Sequence, residues 1–189
     1  MRIVVGLAGS SSPIYGIRTL EVLKEAGVET HLVVSDGAKR TIPLETRWTL
    51  EKVAALATMV HHNHDLAASI SSGSFVTEGM IVVPCSMKTL AAIAHSFGQD
   101  LLARAADVTL KERRKLVLVP RETPLHLGHL RNMVSATELG AIILPPVPAF
   151  YHAPATVDDL IDQTIGKILD QFHIEHSLFR RWRTPEGSP

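Results

Sequence analysis

The chain carries one cysteine, Cys85, among 189 residues, which excludes an internal disulfide and the small cross-linked scaffolds that depend on one. Neither sign of charge is in excess, since 19 lysines and arginines face 19 aspartates and glutamates. A nucleic-acid binder ordinarily shows a basic patch or stripe, so nucleic acid is not an expected partner. No apolar run reaches the length of a membrane span, so no membrane span is expected. Arg2-Ile3-Val4-Val5 opens the chain without a charged region followed by a long apolar stretch, and a cytoplasmic protein is expected. Glycine- or proline-rich linkers, internal repeats and low-complexity tracts are missing too. The expectation is one domain over residues 1–182, followed by a tail over 183–189. Aromatic residues are scarce, at 5%, while apolar residues reach 46%, so the apolar surplus is aliphatic. Such surface suits helix faces buried in a homo-oligomer, or a large aliphatic core in a monomer, and composition does not separate the two.

What the chain does have is alternation. Short apolar runs recur at residues 3–7, 31–34, 80–83, 116–119 and 141–144, separated by segments with helical spacing at 14–26, 50–59, 89–94, 101–110, 129–138 and 157–172. This order predicts βαβ units around a parallel sheet, an α/β fold. In the first helical segment Ile14, Ile17, Leu20 and Leu23 share one face, and Gly27 is placed to stop the helix. Thr156 is placed to cap the last, with Asp158 and Asp159 at its positive end. From Arg180 onward no packing pattern extends beyond Trp182, so an extended or frayed end is expected.

Polar residues gather where apolar runs stop. Ile81-Val82-Val83 leads through Pro84 to Ser86-Met87-Lys88-Thr89, and Leu116-Val117-Leu118-Val119 leads through Pro120 to Arg121-Glu122-Thr123. Proline cannot donate to a ladder and so marks the end of a buried strand. Ligands of open α/β sheets bind just beyond the carboxyl ends of strands. Two such ends carrying hydroxyls, a lysine, an arginine and a carboxylate predict one anion-binding crevice made from separate loops.

Gly9-Ser10-Ser11-Ser12-Pro13 offers backbone N–H groups and hydroxyls to a phosphate or a flavin edge, although a plain strand–helix turn explains it equally well. Gly6, Gly9 and Gly16 do not make the G-x-G-x-x-G fingerprint of dinucleotide binding. Ser35 holds the equivalent place after the second run, with capping of the next helix as its other reading. Lys88 suits a phosphate as a point charge and Arg121 as a bidentate fork, while Glu122 is placed for proton transfer. Glu45 is a second candidate carboxylate, or a surface loop charge. Arg104, Lys111, Arg113 and Arg114 read as a basic run on a solvated helix face. Cys85 follows a buried run without a local base and reads as a packed, inert thiol. The ten histidines suggest no metal centre, because His61-His62-x-His64 lacks H-E-x-x-H spacing and His126 and His129 suit capping better.

Taken together, Gly9-x-Ser11, Ser35, Leu44-Glu45-Thr46, Pro84-Cys85-Ser86-Met87-Lys88-Thr89, Arg104-Ala105-Ala106-Asp107-Val108, Leu110-Lys111-Glu112-Arg113-Arg114, Pro120-Arg121-Glu122-Thr123-Pro124 and Pro148-Ala149-Phe150-Tyr151-His152 resemble the UbiX flavin prenyltransferases. The resemblance runs from about Ile3 to Trp182 and points to bacterial members acting beside ubiquinone biosynthesis. It implies a flavodoxin-like Rossmann fold, a three-layer αβα sandwich with a parallel sheet, in trimers that assemble into a dodecamer with sites between subunits. It implies a prenyltransferase joining the dimethylallyl group of dimethylallyl phosphate to reduced FMN, first at N5 and then at C6. The product, prenylated FMN, would serve a UbiD-type decarboxylase, and no metal would be required. By resemblance, Gly9, Ser10, Ser11, Ser35, Ser86, Met87, Lys88, Thr89 and Arg121 would hold FMN. Lys111, Arg121, Tyr151 and Lys167 would clamp the donor's phosphate, with Arg104 assisting across an interface. Ser11, Glu45 and Glu122 would serve proton movement, and Trp182 would wall the allylic cation.

Two positions depart from the family pattern. Where its loop usually reads Gly-Ala-Ser-Gly-Ala, this chain has Gly9-Ser10-Ser11-Ser12-Pro13, so a positive φ at position 12 would strain serine as it would not strain glycine. Lys167 stands where relatives often carry arginine, replacing a bidentate fork by a point charge. Two other functions use the same fold. A cysteine-decarboxylating flavoprotein should lack the Lys111, Arg121, Tyr151 clamp, and a non-catalytic FMN carrier would not need Glu45, Glu122 and Trp182.

Overall fold

A computed structural model describes residues 1–183; the rest of the expected tail, 184–189, lies outside the described residues. The strands are β1 (Arg2–Leu7), β2 (Glu29–Val34), β3 (Met59–His61), β4 (Gly79–Cys85), β5 (Lys115–Pro120) and β6 (Ala141–Ile143). The helices are α1 (Ile14–Glu25), α2 (Asp36–Glu45), α3 (Leu50–Ala54), α4 (Met87–Ala94), α5 (Leu101–Lys111), α6 (Leu127–Glu138) and α7 (Val157–Gln171). All strand pairs are parallel, in the order β3-β2-β1-β4-β5-β6. Setting β3 aside as an added edge, this is the flavodoxin-like order.

Successive strand residues point to opposite faces, and here both faces are covered. Ile3, Val5 and Leu7 of β1, with Ile81 and Val83 of β4, pack beneath α1 and α7 through Ile17, Leu20, Ile165 and Leu169. Val4, Met80, Val82, Leu116 and Leu118 pack on the other side against Leu90 of α4 and Leu101, Leu102 and Ala106 of α5. Burial on two sides is why the strands read as continuous apolar runs. Each fully buried leucine or isoleucine contributes about 1.5–3 kcal/mol, so these layers hold the sandwich together.

The expected helix signals act as expected at two ends. Gly27 takes φ +67°, its N–H reaching the Lys24 carbonyl and that of Val28 the Leu23 carbonyl, which closes α1. Thr156 and Asp159 form a reciprocal capping box at the start of α7. Elsewhere the structure corrects the sequence reading. The helix expected over 50–59 stops at Ala54, and Met59–His61 forms the edge strand β3 instead. Glu45 is the last residue of a helix, α2, rather than a loop charge; α2 buries only Ala38 and Ile42 and contains Pro43, so its apolar pattern is weak. The basic run is broken, since α5 ends at Lys111 and Arg113 turns to φ +57°. Pro84 lies within β4, at an irregularity between Val82 and Cys85 where the ladder tolerates a missing N–H. Arg181 and Trp182 are not frayed, because Arg181 pairs with Asp170 and Trp182 packs on Tyr151. Among the described residues no helix is long and apolar enough to cross a membrane.

Candidate functional site

Strand order reverses between β1 and β4, and at such a switch point the loops part to leave a crevice. A cleft of about 430 Å³ opens there, lined by Gly9, Ser35, Gly37, Ser86, Lys88 and Thr89, with Asn63, His64 and Asp100 on its far wall. Three helices begin on it, each capped by a side chain. The Ser35 hydroxyl accepts from Ala38 N–H (3.1 Å), Ser86 from Thr89 N–H (3.2 Å) and Asp100 from Ala103 N–H (2.9 Å). Ser35 and Ser86 therefore do what their capping readings required, and the same geometry brings the positive ends of α2 and α4 to the crevice.

The loops are tied to one another. Gly9 and Gly37 pack backbone on backbone, so a Cβ at Gly9 would stand 2.6 Å from the Gly37 Cα. The Ser10 hydroxyl donates to the Arg121 carbonyl (2.8 Å), and Arg121 N–H reaches the Cys85 carbonyl (3.3 Å). Glu45 Oε2 accepts from the Ser11 hydroxyl (2.9 Å) and from Ser12 N–H (2.7 Å). Ser12 adopts φ +69°, the left-handed region in which glycine is at ease and serine is not. Met87 opens α4, and Glu122 is exposed with its Oε1 accepting from Thr123 N–H (3.1 Å). Cys85 is fully buried and burial pushes its thiol up to about 12, which fits a packed thiol and no nucleophile. His126 caps α6 through Gly128 N–H (3.0 Å), and among the described residues no group of three His, Cys, Asp or Glu could hold a metal ion.

The other expected residues are not gathered here. Lys111 ends α5 near the N-terminal end of β5, whereas Arg121 follows the C-terminal end of that strand, roughly 20 Å away along six residues. Lys111 pairs with its neighbour Glu112, whose carboxyl it holds below the usual range. Arg104 donates to the Ser71 carbonyl (3.2 Å) and to Asp107 (2.8 Å). Lys167 lies in the opposite layer, on α7, 3.3 Å from Asp170, and Tyr151 accepts from Gln163 (3.4 Å) while its ring meets Trp182 edge-on at 6.0 Å. One chain thus joins Gly9, Ser10, Ser11, Ser35, Glu45, Ser86, Lys88, Thr89 and Arg121 through connected loops and leaves Arg104 and Lys111 apart from Tyr151, Lys167 and Trp182.

Sequence reading missed part of the crevice wall. Asn63 is buried, and its side-chain and main-chain oxygens accept from Leu102 and Leu101 N–H, fixing the start of α5. Asp36 pairs with Lys39 (3.0 Å) and His64 (2.7 Å), which lower its pKa in that order. Asp100 before an apolar helix carried a readable cap signal; Asn63 and His64 lay in a polar segment with no pattern.

A parallel sheet with a crevice at its switch point defines a flavodoxin-like α/β protein, and residues 1–174 match the family model for flavoproteins. The flavin prenyltransferase UbiX of Thauera aromatica is 62% identical over 182 residues, covering 96% of this chain and 94% of that protein. AnUbiX (PadA1), solved in complex with FMN and dimethylallyl pyrophosphate, superposes with a TM-score of 0.95 at 54% identity, with 98% of each chain covered. A dodecameric FMN-dependent UbiX-like decarboxylase from Escherichia coli O157:H7 gives 0.95 at 52% identity, covering 97% of this chain and all of that one. The chain belongs to the UbiX flavin prenyltransferases.

Proposed function

We propose that this protein transfers the dimethylallyl group of dimethylallyl phosphate to reduced FMN, yielding prenylated FMN for a UbiD-type decarboxylase of ubiquinone biosynthesis. The observation that carries the reading is the 62% identity to a flavin prenyltransferase over nearly the whole chain. The crevice fits a flavin mononucleotide: its volume lies in the range of small-ligand sites, and Ser35, Ser86, Thr89, Lys88 and two helix N-termini are suited to a ring edge and a phosphate. When bound, reduced FMN supplies the two ring positions, N5 and C6, that receive the prenyl group.

The protein's part is binding, charge and proton handling. Gly9, Ser10, Ser11, Ser35, Ser86, Met87, Lys88, Thr89 and Arg121 hold the flavin nucleotide. Lys111, Arg121, Tyr151 and Lys167, assisted by Arg104, surround the donor phosphate, and preplaced cations favour the charge that grows there as the allylic C–O bond breaks. Trp182 and Tyr151, packed edge to face, form a wall that shields the allylic cation from water. Glu45 with Ser11, and Glu122 on the other loop, hold and move the protons released at the ring. Since α5 and α7 lie in opposite layers, the full cation set assembles between copies of the chain, in keeping with a homo-oligomer, a dodecamer by likeness to the E. coli O157:H7 protein. A cytoplasmic setting suits a chain with one buried cysteine and no disulfide. The reading takes residues 1–182 as one domain.

The test is anaerobic incubation of the purified protein with reduced FMN and dimethylallyl phosphate, without added metal, and mass spectrometry of the extracted flavin. A flavin heavier by one isoprenyl unit supports the reading. Unchanged FMN with both ligands saturating overturns it in favour of a flavin carrier.

A further inference from the structure

The carboxylate of Asp170, which no step assigned above uses, is met by Arg181, Lys167 and the His176 ring. Its Oδ1 accepts from Arg181 (2.7 Å) and His176 (3.2 Å), and its Oδ2 from Arg181 (3.2 Å) and Lys167 (3.3 Å). The Arg181 fork thus spans both oxygens across eleven residues of sequence. Asp170 is the penultimate residue of α7, where the helix dipole disfavours a negative charge, so these partners are what offset its placement. Arg181, followed by His176 and Lys167, holds its carboxyl down to about 2 against the burial that would raise it.

The segment it anchors leads to the active site. After α7 the chain folds back over the helix, and His176 and Phe179 lie against Gly166, where a Cβ would meet their rings at 2.6 and 2.4 Å. Arg181 lies over Phe179 (5.5 Å), and the next residue, Trp182, meets Tyr151 edge-on. Trp182 is 65% exposed, so little packing of its own fixes it. Besides Tyr151 its ring meets the Arg183 guanidinium at 5.4 Å, and Arg181, the residue before it, is the neighbour tied back to α7.

We propose that Asp170 is a positioning residue for prenyl transfer: one carboxylate steadies the Lys167 ammonium and, through the Arg181 fork, sets Trp182 against Tyr151. This rests on the reading that Lys167, Tyr151 and Trp182 serve the donor. Loss of the carboxylate frees both the cation and the aromatic wall, while the crevice residues Ser35, Ser86 and Thr89 are held by hydrogen bonds that do not involve Asp170.

The experiment compares Asp170→Asn, Arg181→Met and the double variant in the whole protein. Each single variant is expected to lower kcat/KM for dimethylallyl phosphate about tenfold or more, Asp170→Asn the more because it also frees Lys167, with FMN affinity held within about twofold, and the double variant to be no worse than Asp170→Asn alone. In a Trp48→Phe background Trp182 is the sole tryptophan, and its time-resolved anisotropy is expected to gain a fast component in both variants. Unchanged kcat/KM, multiplicative losses in the double variant, or an unchanged anisotropy decay would each overturn the proposal. Should Asp170→Asn destabilise α7, Arg181→Met on an exposed side chain tests the Trp182 arm by itself, and an unchanged anisotropy decay there overturns the proposal. If the parent protein prenylates no flavin, the functional reading fails, and anisotropy alone judges whether Asp170 positions Trp182.

Discussion

At the carboxyl edge of the sheet, Gly9, Ser35, Ser86 and Arg121 come from four different loops and meet within one chain; Lys111 and Lys167, by contrast, stand on α5 and α7 in opposite layers. The first region is fixed by topology, because parallel strands that end together must deliver their loops to one place. The second is fixed by side chains on helix surfaces, whose meeting depends on what packs against those surfaces. On the proposed assignment, the flavin crevice would then be a property of the subunit and the phosphate clamp a property of the assembly. Variants in the two regions should fail in different ways.

The largest effect is expected from Lys111→Ala. Removing one preplaced cation should lower the rate of prenyl transfer roughly 10²–10³-fold. FMN affinity, measured by fluorescence titration, should stay within about twofold, because Lys111 is remote from the crevice in its own chain. A loss well under tenfold would remove Lys111 from the clamp. The sharper version mixes chains. If each site draws Lys111 from one copy and Lys167 from another, oligomers reassembled from equal amounts of Lys111→Ala and Lys167→Ala chains should regain about a quarter of wild-type activity. Activity no higher than that of the two parents would place both lysines at one subunit's site and break the comparison.

The same division explains what was readable in the sequence. Ser35, Ser86 and Arg121 are legible as strand-end candidates because a short apolar run, its end and a capping hydroxyl are all local signals, and local signals suffice where topology does the gathering. The clamp was named only through resemblance, since nothing in the spacing of Lys111, Tyr151 and Lys167 brings them together. β3 was lost because Met59-Val60-His61 is three residues long at an exposed edge, with Met59 and Val60 about half exposed and no alternation to read. α2 was lost because only Ala38 and Ile42 face the core, although Ser35-Asp36 already carried an N-cap signal. Asp170 went unnoticed because its main partner, Arg181, lies eleven residues on, beyond any helical periodicity.

A smaller effect on ligand binding, limited to the flavin, is expected from Glu45→Ala, beside the fall in kcat that follows from losing a proton-handling carboxylate. Its carboxylate accepts from Ser11 and Ser12 and so joins the end of α2 to the loop after β1. Charge-assisted hydrogen bonds are stronger than neutral ones, but Glu45 is exposed and water can replace it in part. Loosening that loop should weaken FMN binding about tenfold. The KM for dimethylallyl phosphate should stay unchanged when flavin is saturating. A change in that KM with FMN affinity intact would move Glu45 from the crevice to the clamp.

The smallest effect comes from Ser12→Gly, and it tests whether the altered flavin loop carries a cost of its own. Serine at φ +69° is disfavoured by about 1–2 kcal/mol relative to a right-handed conformation, and glycine at that φ is not. Against this, glycine adds backbone entropy to the unfolded chain, costing about 0.5–1 kcal/mol. The difference leaves a net stabilisation of roughly 0–1.5 kcal/mol, or a Tm rise of up to about 5 °C for a chain of this length. The Ser12 contact to Glu45 is made by the backbone N–H, which glycine keeps, so the loop should stay tied and FMN affinity should hold. Differential scanning calorimetry with and without FMN separates the two quantities. A lower Tm in Ser12→Gly would mean that the serine side chain stabilises the loop by more than its backbone strain costs.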